Sequence, residues 1–171
     1  MKRRPVAGEY GRFYAGYVDL VPEEDILAAM IAQSVETERI LGAIGDERAA
    51  FRYAPGKWSI REVVGHVGDS ERVFGYRAMC IARGETNSLP GFDEKEYVRS
   101  APFESCSMKD LTDALLLMRR ANILLFRSIA PQTWDNVGEA NETAVTVRAL
   151  AYILVGHERH HLRVLRERYG V

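Results

Sequence analysis

The chain has 171 residues, 47% apolar and 27% charged, the balance of one soluble globular domain spanning 1–171 with room for a sizeable core. Its 23 Lys and Arg against 24 Asp and Glu leave no net field favouring nucleic acid or an anionic membrane, so neither is an expected partner. No segment approaches the roughly 20 apolar residues of a membrane span, and the basic start Met1-Lys2-Arg3-Arg4-Pro5 lacks the apolar run of a signal peptide.

Two cysteines, Cys80 and Cys106, make no disulfide framework and fit a reducing cytoplasm, the expected location. Residues 1–20 hold Tyr10, Phe13, Tyr14 and Tyr17 without periodicity, an N-terminal arm whose rings pack on the body or wall a pocket. Pro22-Glu23-Glu24-Asp25 then opens a helix, with acids at the positive end of its dipole. Leu27, Met30, Ile31, Ser34, Leu41 and Ile44 follow at helical spacing, and Gly45 is a plausible stop.

Pro55-Gly56-Lys57-Trp58 is turn chemistry, and Ser59-Ile60-Arg61-Glu62 is a capping box. The second helix runs to about Arg83, with Gly84 as terminator and Ile60, Val64, Val67, Phe74, Ala78 and Ile81 as its apolar stripe. His66 lies beside that stripe. Residues 84–108 carry Pro90-Gly91 and Pro102 and read as a long crossover loop, with a short helical turn near Asp93–Val98. The third helix starts between Met108 and Asp110, with a seam of Leu111, Leu115, Met118, Asn122, Leu125 and Ile129, and ends at Pro131. Residues 131–145 form another connection. The last helix begins at Thr146 and ends at Gly170, its seam being Val147, Leu150, Leu154, His157, His161, Val164 and Arg168. No strand pattern is visible, so the expected fold is an all-α four-helix bundle.

Only four histidines occur, and three of them lie in Gly156-His157-Glu158-Arg159-His160-His161. His157 and His161, four apart, share one helix face. His66 on another helix can close a triangle around one divalent ion, leaving a coordination position open as in catalytic sites. A single histidine on an apolar face is ordinarily a core residue with a satisfied hydrogen bond. Two on one seam are harder to explain that way, because each carries two polar nitrogens that need partners. His160 is the competing ligand and otherwise belongs at the pocket rim. The letters also satisfy the H-E-x-x-H zinc-protease pattern, but Val164 and Glu167 stand where the metzincin continuation wants glycine and histidine.

Pro55-Gly56-Lys57-Trp58-Ser59, Glu62, Gly65-His66, Asp69, Glu71-Arg72 and Arg77 form one block, and Val147 to Tyr152 leading into Gly156–His161 forms another. In this order and at this separation they resemble the DinB superfamily of DinB/YfiT-like metalloenzymes. The resemblance implies an up-down-down-up bundle with a long crossover. It implies a nickel or zinc ion on His66, His157 and His161, and a homodimer in many members. It also implies activities such as transfer of a low-molecular-weight thiol onto a small electrophilic substrate; metal-dependent hydrolysis is the alternative, and a metal-stabilised stress protein without catalysis a third reading.

Five further residues stand near the triad in these blocks. Asp69 either pairs with Arg72 on the helix face or orients an imidazole. Arg77 either binds a substrate carboxylate or bridges to another helix. Trp58 and Tyr76 are core residues or pocket lining. Glu158 points about 100° away from His157 around the helix and is not assigned as a base.

Overall fold

In chain order the helices are α1 (Ala15–Val18), α2 (Ile26–Leu41), α3 (Asp46–Ala49), α4 (Ile60–Ala82), α5 (Glu94–Ser100), α6 (Met108–Ser128) and α7 (Val147–Val164). They come from a computed structural model that describes residues 3–171. The four long ones make a four-helix bundle: α4 packs against α6 and α7, and α2 packs against the same two from the other side. Sequence neighbours α2 and α4 therefore sit across the bundle's diagonal, and the 83–107 crossover joins α4 to α6. Among the described residues no helix is long and apolar enough to cross a membrane.

Each long helix begins on a side-chain cap. Asp25 accepts from the Ala28 amide, Ser59 from Glu62, Ser107 from Asp110 and Thr146 from Ala149. At α4 the capping box is complete, with Glu62 accepting from the Ser59 amide at 2.7 Å. The helix ends at Gly84, whose φ of +86° suits a residue without Cβ. Asp93 caps α5 inside the crossover, where a short helical turn was expected.

Several expectations change. Helix α2, the first one expected, starts at Ile26 rather than Pro22 and stops at Gly42 rather than Gly45, although Ile44 is still buried. Ile31, expected in the core stripe, is 45% exposed. The buried face of α6 is Met108, Thr112, Leu115, Arg119, Asn122 and Phe126, so the seam is rotated from the expected one and takes in an arginine. The first three turns of α7 are buried on every side, not along one stripe.

A hairpin also replaces part of the expected 131–145 connection. Strand β1 (Val137–Ala140) pairs antiparallel with β2 (Thr143–Thr146). Its two turn residues, Asn141 and Glu142, have φ of +53° and +57°, the double left-handed turn that matches strand twist. Four-residue strands are too short to show alternation, and the turn lacks the glycine that usually announces it. Leu89 of the crossover pairs with this hairpin, donating to Glu139 and accepting from Asn141, both at 2.9 Å.

The core has two apolar halves. One joins Ile26, Met30, Phe74, Ile81 and Phe126 with the start of α7; the other joins Leu41, Ile60, Val64, Leu115, Leu162 and Leu165. Between them lies a buried polar belt containing His66, Glu71, Arg119, Asn122, His157 and Glu158, with Gln33 and Thr37 from α2. The candidate site is part of this belt.

Candidate metal centre

Helices α4 and α7 pack closely along their length, so residues at matching heights meet. His66 from α4 meets His157 and His161 from successive turns of α7. Their ring centroids are 4.9, 4.8 and 4.5 Å apart, and one nitrogen from each lies within 4.8 Å of the others. The Nε2 atoms of His66 and His157 are 3.0 Å apart.

Burial pushes all three imidazoles toward the neutral form. His66 is lowered to about 4, chiefly by burial and against the pull of Glu94. His157 and His161 are held well below the usual histidine value, first by burial and then by the other rings. Neutral rings each keep a nitrogen lone pair. One N–H···N bond can relieve one contact, but among the described residues the triad has no other hydrogen-bond partner.

A divalent ion fits this donor set. Nitrogen ligands at about 2.0–2.1 Å in tetrahedral array lie roughly 3.3 Å apart, near the 3.0 Å between the His66 and His157 nitrogens, and the third ring offers a nitrogen within 4.8 Å of both. Neutral imidazole suits zinc, nickel, copper and iron.

Aromatic rings surround the triad. Trp58 lies against His66 with centroids 5.0 Å apart, while Tyr17 and Phe74 stand edge-on to His157 at 5.3 and 5.7 Å. Tyr17 gets there because α7 carries Gly156: a Cβ at this position would fall 2.0 Å from the Tyr17 carbonyl oxygen. The N-terminal arm thus does both things weighed for it, packing on the core and walling a pocket.

One side of the triad opens on a cleft of about 340 Å³. Its apolar walls are Phe13, Tyr14, Tyr17, Trp58, Phe74 and Phe92. Its polar lining includes Ser70 and Arg77 from α4 and Glu94 from α5. Phe92 and Glu94 were not singled out from the sequence. Glu94 sits in a polar loop where nothing marks one acid above its neighbours, whereas helix spacing puts Ser70, one turn beyond His66, on the same row of α4.

The remaining candidates separate. His160 is half-buried, stands 5.5 Å from the Tyr17 ring and lines a neighbouring groove with Lys57, Lys95 and Trp58. Asp69 pairs with Arg72 at 3.5 Å, and no described hydrogen bond joins it to an imidazole. Burial raises the Asp69 carboxyl, Arg72 opposing. Arg77 lines the cleft and donates to the Pro90 carbonyl at 2.7 Å. Tyr76 is 54% exposed and lines no described pocket, while Trp58 lines the cleft and the groove.

Behind the triad sits a second polar cluster that the sequence did not announce. Arg119 donates to both oxygens of Glu71 at 2.8 Å and pairs with Glu158 at 2.6 Å. Asn122 also donates to Glu71, and Gln33 and Thr37 donate to Glu158. Burial alone would lower the Arg119 guanidinium, but Glu158 and Glu71 outweigh it and raise it. Glu158 is thus spent on this cluster, in keeping with its direction away from the triad.

Three comparisons bear on this geometry. A model of the DinB superfamily matches residues 31–165. A protein of Oceanobacillus iheyensis, provisionally named a metal-dependent hydrolase, is 25% identical over 126 residues, 71% of this chain and 70% of the relative. The solved structure of YfiT from Bacillus subtilis, described as an unusual four-helix bundle and provisionally as a metal-dependent hydrolase, superposes with a TM-score of 0.74 at 17% identity. That match covers 99% of this chain and 94% of YfiT.

Proposed function

The chain belongs to the DinB superfamily, and from that premise we propose that it is a divalent-metal-dependent enzyme acting on small electrophilic molecules. The carrying observation is the convergence of three imidazole rings, His66 and His157 buried and His161 partly buried, at the floor of an aromatic cleft. His66, His157 and His161 would hold the ion, nickel or zinc, which would supply Lewis acidity and lower the pKa of a nucleophile beside it.

The chain's own residues do the rest. The three rings would hold the ion from the helix side, and they line the cleft through which a substrate enters. Trp58, Tyr17 and Phe74 exclude bulk water and strengthen electrostatic interactions there. Glu94 is the carboxylate of the cleft, and its charge is felt at His66 and Tyr17. Its oxygens can take up the proton that the nucleophile loses.

Water is the nucleophile favoured by the provisional names of both relatives. A low-molecular-weight thiol is the second reading, supported by the resemblance of the two histidine blocks to thiol-transferring members. Metal content of the purified protein, with turnover of activated esters and alkylating probes, each with and without a thiol panel, tests both. Turnover with water alone selects hydrolysis, and turnover only with thiol selects transfer. Full metal occupancy with no turnover, together with a melting temperature that collapses on chelation, selects the non-catalytic stabilising role.

A further inference from the structure

Arg77 differs from the other buried arginines among the described residues. Arg119 is neutralised by Glu71 and Glu158, and Arg148 by Asp135. Arg77 is 2% exposed, yet among the described residues no carboxylate pairs with it. Its one hydrogen bond goes from Nη2 to the Pro90 carbonyl, and Phe74 stacks loosely beneath it at 6.0 Å.

A neutral donor would hold Pro90 equally well. Burying a guanidinium without a counter-ion is costly, so the charge needs another reason to be there. Its remaining N–H groups form a planar fork suited to a carboxylate.

Helix geometry places this fork relative to the triad. His66, Ser70 and Arg77 fall at i, i+4 and i+11, which brings all three within about 40° of one another around α4. The Cα atoms of His66 and Arg77 are roughly 16 Å apart along the axis. All three line the same cleft. Between the ends, the Ser70 hydroxyl is buried with no partner. Glu94 lines the same cleft and forms no ion pair with Arg77.

We infer that the molecule entering the cleft carries a carboxylate held by Arg77 at the end away from the histidines, with an apolar body along Tyr14, Phe74 and Phe92. The Ser70 hydroxyl donates to a polar atom along its length. The substrate class is thus an elongated aryl or alkyl carboxylic acid whose electrophilic group sits at the triad. Only the position of the reacting end rests on the metal-site reading; the anion site does not.

The test uses the full-length protein at pH 8, stripped of metal so that a carboxylate has no ion to ligate, and titrated calorimetrically with 3-phenylpropanoate and 3-phenylpropanamide. Wild type should bind the acid at least about tenfold more tightly than the amide. Arg77→Gln, which retains a donor for Pro90, should bring the two together, and Arg77→Lys should keep only part of the preference. Equal binding of acid and amide by wild type overturns the inference without any variant. A preference that survives in Arg77→Gln overturns it as well. Because no metal is present, a protein that never turns over anything would leave a positive result standing, and an active enzyme without the preference would lose only this inference.

Discussion

Two buried polar clusters lie back to back in the same belt of the bundle, and consecutive residues of α7 belong to one each. His157 faces the triad; Glu158 faces Arg119. The Glu158 cluster is closed: every carboxylate oxygen has a donor, drawn from α2 and α6. Only Nη1 of Arg119 has no partner. The His157 cluster is open, with lone pairs converging on one another beside a cleft. The contrast separates a polar group that fixes the packing of helices from one that waits for a ligand. Both lie in the interior, but one pairs charges with donors and the other sets imidazoles against one another.

The largest effect of breaking this contrast comes from the open cluster. His157→Ala should abolish stoichiometric metal binding, read by elemental analysis, and lower any metal-dependent turnover by more than about 100-fold, while the metal-free protein keeps its fold. A variant that still binds one ion tightly would break the comparison.

Next comes the closed cluster. Arg119→Met leaves two carboxylates buried without their cation and should cost about 3–5 kcal/mol in denaturant unfolding. Replacing Glu71, Arg119 and Glu158 together by apolar residues should recover most of that loss. A single replacement that is harmless would mean the cluster is not closed.

Acid sharpens the comparison further. His66 titrates at about 4 in the folded protein, below its ordinary 6.5. Between these values the unfolded chain binds more protons, so stability is complete above about pH 6.5 and falls as pH drops toward 4. The loss from His66 is on the order of 3 kcal/mol, and His157 and His161 add to it in the same direction. Unfolding of metal-free protein as a function of pH should show this slope, and His66→Gln should make it shallower. The smallest effect lies outside both clusters: Ser59→Ala removes the α4 cap and should cost about 1 kcal/mol while leaving metal binding unchanged.

Much of the open cluster was legible in the sequence because its parts obey helix periodicity. The i, i+4 pair on α7 and a histidine beside the stripe of α4 needed only the right helix assignments, and the caps at Ser59 and Thr146 fixed those. The closed cluster was not legible. Arg119 follows Leu115 at helical spacing, but an arginine in a buried row contradicts the pattern until Glu71 and Glu158 arrive from two other helices. Asn122, the polar member of the expected seam, was its one visible sign. The hairpin escaped because its strands are four residues long, and Tyr17 could be placed only once Gly156 was seen beneath its carbonyl.

The junction of Leu89 with the hairpin has a consequence for how such a scaffold diversifies. Main-chain hydrogen bonds hold the mouth of the cleft in shape, and main-chain bonds are indifferent to side-chain identity. Phe92 and Thr143 at that mouth can therefore drift in evolution while the floor with its three rings stays in register. New preferences for incoming molecules are accessible by single replacements, without dismantling the chemistry below.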